Sequence, residues 1–410
     1  MKKSTLSLYV SSIFIIIAGG FQSCDKEDTE STSAGAYLQS SGTVIKTSES
    51  FESTLEDEST VKVTGGSLTL NDCTVTKSGN TSSSDNSSFY GQNAAILSSG
   101  SSSTIIISGG TVTTDATGAN AIVAYGGTIG VSGVTIKCSG QYSRGIHTTN
   151  SGKIVASDIT ASTTGNNSSV IATDKGGGSV DVTGGTFTAS GNDAAVIYST
   201  GTISTKGITG SSVNGEAVVI EGDNSASVSS SNLTSGSESR GILILQSGSG
   251  DASGVTGTLT MIGGSIATTN PDAPLIEVVT NSTGNITLNG TSTSIASGIL
   301  MEVDYNTRWT TSGATGNLAL LGTTTFTGNI VGDSYSTLNL SINSGTIWVG
   351  AFDNANTAKS GKISIDGGTW TLTGDSNADT IELTNGAIIN KNGHTLTYVT
   401  LNNSSGTINN

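Results

Sequence analysis

Three charged residues are the best candidates for catalysis: Asp174, Lys175 and Glu221, which fall at similar positions of a repeat. A polysaccharide lyase needs a base, often arginine or lysine, and carboxylates that hold Ca²⁺ against a uronic acid. Asp174 and Glu221 are two repeats apart, about 10 Å at the usual strand spacing. That distance is too wide for one shared Ca²⁺ ion and marginal for an inverting glycosidase. We expect solvated surface groups here, with lyase or hydrolase chemistry as the alternative.

Aromatic and basic residues form a second group of candidates, because sugars stack on aromatic rings. The candidates for binding are Tyr125, Tyr305, Arg308, Trp309 and Trp348. Tyr305, Arg308 and Trp309 share one long turn, which predicts either a protruding glycan-binding patch or a turn folded down over the coil. Trp348 follows Ile347, which we expect to face inward, so Trp348 is predicted to face outward.

The sequence gives little support for a metal site or for nucleic-acid binding. The chain has two histidines, and no metal-ligand spacing occurs. We expect no metal or cofactor, and Ca²⁺ enters only with the lyase alternative. His147 lies in an otherwise apolar column, where a packed or surface histidine is more frequent than a general base. The net charge of −15 repels phosphate backbones, so we expect no nucleic-acid partner.

These residues are positioned by a recurring phrase, in which a branched apolar residue, a polar residue, Gly-Gly and Ser or Thr precede another apolar residue. Examples are 63–68, 107–112, 182–187 and 365–370. A second phrase, centred on Ile96, Ile122, Ile146, Ile171, Val196, Val218 and Ile242, returns every 22 to 26 residues. This period predicts an all-β fold, a parallel β-helix with three strands in each turn.

Alternation along the strands sorts the side chains into inward and outward columns. The two predicted outward columns are Val123, His147, Ala172, Ile197, Val219 and Leu243, and Tyr125, Thr149, Asp174, Ser199, Glu221 and Leu245. Glu216 and Arg240 share a position on adjacent turns, which predicts a surface ion pair. Cys73 and Cys138 lie two turns apart, beyond disulfide reach, so both are expected to be unpaired.

The N-terminal residues have the pattern of an export signal. Lys2 and Lys3 precede an apolar stretch that is too short for a stable membrane span. The sequence before Cys24 resembles a bacterial lipobox, and the acidic run after it resembles the surface-export signal of Bacteroidota lipoproteins. We therefore predict a signal peptide over 1–23, a lipidated Cys24, an acidic Ser/Thr linker over 24–37 and one β-helix domain with capped ends over 38–410.

Several phrases resemble a group of secreted right-handed parallel β-helix proteins, described as adhesin-like or pectate-lyase-like. They include 172–178, 216–222, 246–252 and 339–345, and the similarity spans most of residues 90–400. The resemblance implies a right-handed coil, export, and binding of glycans or surfaces, without an assigned reaction. We expect a non-enzymatic lipoprotein on the outer membrane, exposed at the cell surface, which binds glycans or neighbouring cells. A lyase or hydrolase of acidic glycans and a structural scaffold are the alternatives.

Overall fold

Parallel strands coil around a continuous apolar core through fifteen turns in the computed structural model, which describes residues 35–236, 239–247, 251–305 and 312–410. The predicted signal peptide, Cys24 and nearly all of the linker lie outside these residues. The all-β parallel solenoid predicted from the repeat is confirmed, and its right-handedness stays a prediction. No helix in the described part of the chain is long and apolar enough to cross a membrane.

Two long sheets extend along the solenoid. Sheet I has twelve strands, Tyr37–Gln39, Val61–Val63, Ile96–Ser99, Ile122–Tyr125, Ile146–Thr149, Ile171–Thr173, Ile197–Ser199, Val218–Glu221, Ile242–Leu245, Ile276–Val279, Ile299–Asp304 and Asn329–Gly332. Sheet II has fifteen, Thr43–Thr47, Gly66–Asn71, Ser103–Ser108, Thr128–Ser132, Gly152–Ser157, Gly178–Thr183, Thr202–Lys206, Ser225–Ser229, Thr256–Ile262, Thr283–Asn289, Thr315–Leu321, Thr337–Asn343, Ser360–Asp366, Ser376–Thr384 and Leu396–Asn403.

The third side is divided between two sheets. Sheet III has ten strands, Ser50–Ser53, Thr74–Lys77, Thr111–Thr114, Thr135–Cys138, Thr160–Thr163, Thr186–Asn192, Thr209–Asn214, Asn232–Ser235, Ser265–Thr268 and Ser292–Ile295. Sheet IV has five, Thr325–Thr327, Ile347–Val349, Thr369–Thr371, Ile388–Asn390 and Thr407–Asn409. Sheet I ends at Gly332, so the last turns have two strands each and depart from the predicted three.

At 107–112 and 182–187, the Gly-Gly phrase marks the corner that leads from sheet II into sheet III. Gly110 and Gly185 have φ angles of 81° and 101°, which disfavour residues with a side chain. A Cβ atom at Gly185 would lie 2.3 Å from the carbonyl oxygen of Ile159 on the preceding turn. The corner therefore needs glycine both for its backbone conformation and for the close approach of stacked turns. Cys73 and Cys138 are both free and buried.

The prediction that Trp348 faces outward is wrong. Trp348 is fully buried, whereas Ile347 is 40% exposed. Trp348 pairs in register with Trp370, and the two rings stack with centroids 5.2 Å apart. Its Nε1 donates a hydrogen bond of 2.9 Å to the carbonyl oxygen of Gly328. The error arose because Thr346 occupies the second glycine position of the phrase, which shifts Ile347 onto the outward side.

Among the described residues, one helix, α1 (Ser84–Tyr90), interrupts the solenoid between a strand of sheet III and one of sheet I. The repeat analysis did not predict it. Ser83 caps its N-terminus by accepting a hydrogen bond from the backbone N–H of Asn86, and Gly91 ends it at a φ of 69°. α1 lies on the outer face of sheet I, where Thr149 donates a 2.8 Å hydrogen bond to the carbonyl oxygen of Phe89. It covers part of the face that carries the candidate residues.

Candidate functional site

The outer face of sheet I carries most of the candidate residues. Strand register defines its central column as Leu38, Lys62, Leu97, Val123, His147, Ala172, Tyr198, Val219, Leu243, Glu277, Glu302 and Val331. The prediction placed Ile197 in this column and Ser199 in the next one. Ile197 pairs with Ile171, however, so Ile197 and Ser199 face inward and Tyr198 faces outward. The repeat step here is one residue longer than assumed.

A cleft of about 770 Å³ lies on this face at the N-terminal turns. We name it the tyrosine cleft, and its walls include Tyr37, Tyr90, Tyr125, Leu38, Leu55 and Gln92. Tyr90, at the end of α1, is 49% exposed. Its ring meets that of Tyr125 edge to face, with centroids 5.9 Å apart. Of the predicted binding residues, Tyr125 therefore lies in an accessible aromatic cleft.

Acidic side chains line one side of the tyrosine cleft. Asp57 accepts hydrogen bonds from the backbone N–H of Ser82 and the hydroxyl of Thr81, at 2.9 and 3.0 Å. Hydrogen bonds from Ser82 are the main cause of its lowered pKa. Glu58 accepts a 2.6 Å hydrogen bond from Ser53. With Glu56 and Lys62, these residues give the lining three carboxylates and one ammonium group.

Asp174 is buried beside Arg144 and is not a solvated surface group. The Arg144 Nη2 atom lies 2.9 Å from Asp174 Oδ2. Burial nevertheless raises the pKa of Asp174 to about 6, because desolvation outweighs the attraction of Arg144. The side chain of Lys175 does not lie beside Asp174 and Arg144. Its Nζ lies over the ring of Phe89 in α1, 4.8 Å from the centroid, as a cation–π contact.

Glu221 is also buried and engaged by neighbouring side chains. The hydroxyl of Tyr198 donates to Glu221 Oε2 at 2.6 Å, and Ser247 donates to Oε1. Burial, followed by the charge of Glu221, raises the pKa of Tyr198 well above its usual value. Sequence analysis missed Tyr198 and Arg144 as partners. A cavity of about 210 Å³ beside α1 is lined by Arg144, Asp174 and Tyr198, among others, but not by Glu221.

Further along sheet I, the predicted pair between Arg240 and Glu216 is present at 3.3 Å, but Glu216 is buried, so it is not a surface pair. Glu277 lies closer, 2.7 Å from Arg240 Nε. Burial raises the pKa of Glu277 to about 7. Tyr305 packs against Tyr335 with ring centroids 5.0 Å apart. Arg308 and Trp309 lie outside the described residues, so the patch predicted around them stays a prediction.

His147 is packed rather than exposed. Its side chain is fully buried in the central column, and neither ring nitrogen has a hydrogen-bond partner within the described structure. Burial, and secondarily the charge of Arg144, hold its pKa well below the usual value. Within the same described ranges, no three His, Cys, Asp or Glu residues are grouped closely enough to hold a metal ion. The described residues therefore form an accessible aromatic cleft at the N-terminal turns, while Asp174 and Glu221 are buried and engaged by neighbouring side chains.

Comparison with known proteins adds no family assignment. A scan against protein-family models gives no match, and a search of curated proteins gives no significantly similar sequence.

Proposed function

We propose that this protein is a non-catalytic glycan-binding protein and that the tyrosine cleft is its contact site. The observation that carries the proposal is the edge-to-face pair of Tyr90 and Tyr125 in the wall of an open cleft of about 770 Å³. Aromatic rings bind the apolar faces of sugar rings, while amide and carboxylate groups accept or donate hydrogen bonds to their hydroxyls. Gln92 and Glu56 line the same cleft and supply those groups.

The charge of the cleft favours neutral over acidic glycans. Glu56, Asp57 and Glu58 line it together with a single cationic side chain, Lys62. A uronic acid polymer would meet a net negative surface, and like charges disfavour association. We therefore expect neutral oligosaccharides to bind best and polyuronates to bind weakly.

A glycan array is the direct test. We expect the wild-type protein to be retained by one or more neutral glycans, and Tyr90→Ala to abolish retention. Because Tyr90 is 49% exposed, this change should affect stability by less than about 1 kcal/mol. Tyr398→Ala is the matched control, since Tyr398 is 40% exposed and lies on the last strand of sheet II. Retention of Tyr90→Ala at the wild-type level would contradict the proposed site.

The alternative function is a lyase or hydrolase of acidic glycans that uses Asp174, Lys175 and Glu221. It is less favoured because Asp174 pairs with Arg144, Glu221 accepts from Tyr198 and Ser247, and Lys175 lies over Phe89. A lyase produces an unsaturated sugar, which is detected by ultraviolet absorbance. Calcium-dependent product from a uronate polymer, lost in Asp174→Ala, would favour the enzyme over the binder.

We also propose that the protein is anchored by lipid at Cys24 and displayed outside the outer membrane, where it would adhere to glycans or neighbouring cells. The lipobox-like sequence and the acidic residues after Cys24 support this address. Cys24→Ala should release the protein from membranes or block its maturation, and protease treatment of intact cells should remove the wild-type solenoid. Lipid labelling of Cys24→Ala would contradict the anchor. If no glycan retains the wild type, a surface scaffold becomes the better proposal.

A further inference from the structure

α1 is a short strap held on sheet I by a few polar contacts. Arg144 Nη1 donates to the Ser88 hydroxyl at 2.7 Å, and Thr149 donates to the Phe89 carbonyl at 2.8 Å. The hydroxyl of Ser87 donates to the carbonyl oxygen of Gly118. A helix of seven residues is not stable alone in water, so its position depends on these contacts and on packing against the face below.

His147 lies on the strand that α1 contacts most closely. It is fully buried between Val123 and Ala172 of the neighbouring turns, both of which are apolar and buried as well. Neither Nδ1 nor Nε2 meets a hydrogen-bond partner within the described structure. A neutral imidazole in this position leaves its polar atoms unsatisfied, and an imidazolium would add an unpaired buried charge. The buried position of His147 therefore disfavours the charged imidazolium form more strongly than the neutral imidazole.

We propose that protonation of His147 releases α1 from the outer face of sheet I, so that acid opens the strap and disassembles the tyrosine cleft. The cleft depends on α1 because Tyr90, the last residue of the helix, forms one half of the tyrosine pair. Release would hydrate His147 and separate Tyr90 from Tyr125. The protein would then hold its ligand at neutral pH and lose it in acid.

The direction of the pH effect follows from the free and covered states of His147. Released, the imidazole titrates near its ordinary value of 6.5, whereas the covered ring has a pKa well below that. Above about pH 6.5, His147 does not oppose the covered state. Below that pH, the ratio of covered to released α1 falls about tenfold per pH unit, until the pH reaches the lowered pKa of the buried His147.

Other charged groups around His147 do not reproduce this behaviour. The guanidinium of Arg144 repels an imidazolium at His147. Asp174, paired with Arg144, has a pKa raised to about 6 by burial, so acid relieves its desolvation and acts in the opposite direction. Lys175 lies over Phe89, and Asp85 is in the first turn of α1. Tyr90 and Tyr125 lie beside this area as an edge-to-face pair.

Hydrogen exchange of the α1 amides tests the proposal without any ligand. The wild-type rate, corrected for intrinsic chemistry and divided by the rate of His147→Leu or His147→Gln, should rise about tenfold per pH unit below about pH 6.5. Neither variant titrates at position 147, so this ratio separates the effect of His147 from the opposing effect of Asp174. His394→Leu is the matched control, since it changes the other histidine, in a turn near the last strands, and should keep the wild-type profile.

The amides of Gly152–Ser157, the sheet II strand of the same turn as His147, serve as an internal reference for unfolding of the turns below α1. If they lose protection together with α1, the turns themselves unfold and the strap is refuted. If both His147 variants keep the full pH dependence, a different group controls α1 and the proposal is wrong. Because neither readout uses a glycan, failure of the strap leaves the proposed glycan site intact, and failure of the array leaves the strap testable.

Discussion

Replacement of Trp348 by alanine should strongly destabilise the C-terminal turns. Its indole is fully buried, stacks on Trp370 with a centroid distance of 5.2 Å and an interplanar angle of 20°, and donates to the Gly328 carbonyl. Alanine would remove the stacking partner, leave that carbonyl unsatisfied and open a cavity between sheets II and IV. Truncation of a buried tryptophan costs about 3–5 kcal/mol. We therefore expect a loss in this range.

Urea unfolding followed by circular dichroism measures the effect of Trp348→Ala. Neighbouring turns of a solenoid can unfold separately, so hydrogen exchange of the strands Thr369–Thr371 and Ile388–Asn390 should accompany it. Ile347→Ala is the matched control: it changes the adjacent residue of the same strand, is 40% exposed, and should cost less than about 1 kcal/mol. Equal losses for the two variants, or a loss below about 1 kcal/mol for Trp348→Ala, would refute the inward orientation.

Two further substitutions test the buried pair and the corners. Arg144→Met should lower the free energy of unfolding by about 3–5 kcal/mol near neutral pH, because it leaves the Asp174 carboxylate buried and unpaired. The loss should shrink as acid protonates Asp174, whose pKa is already about 6. Urea unfolding at several pH values checks this, and a loss independent of pH would contradict it. Gly185→Ala should lower the melting temperature more than Gly207→Ala. Both glycines have positive φ, but only at position 185 would the added Cβ lie 2.3 Å from a backbone oxygen. Equal shifts in a thermal melt would contradict the argument from stacked turns.

The architecture could be predicted because its determinants are local and repeated. Gly-Gly corners need positive φ, and branched apolar residues between them fill a continuous core, so both leave a pattern at a fixed period. Individual orientations were less secure where the period changes. One additional residue in the step from Ile171 to Ile197 moved Tyr198 outward, and Thr346 in a glycine position moved Trp348 inward.

The candidate site was only partly predictable, because its decisive contacts join residues from different turns. Tyr125 was placed on the correct face, but its partner Tyr90 belongs to α1, which lies outside the repeat. The cap at Ser83 and the glycine at position 91 are the local signals for that helix. Likewise, Asp174 pairs with Arg144 and Glu221 accepts a hydrogen bond from Ser247, and no strand alternation encodes these contacts.

Hydroxyl-radical footprinting of the protein with the neutral glycan that the array retains best tests the central claim most directly. Bound sugar should shield the rings that line the tyrosine cleft. We predict that Tyr90 and Tyr125 are oxidised more slowly in the complex than in the free protein, and that Tyr398, at the other end of the solenoid, is oxidised at an unchanged rate. Unchanged oxidation of Tyr90 and Tyr125 in a fully bound sample would show that the glycan binds elsewhere and would contradict the account.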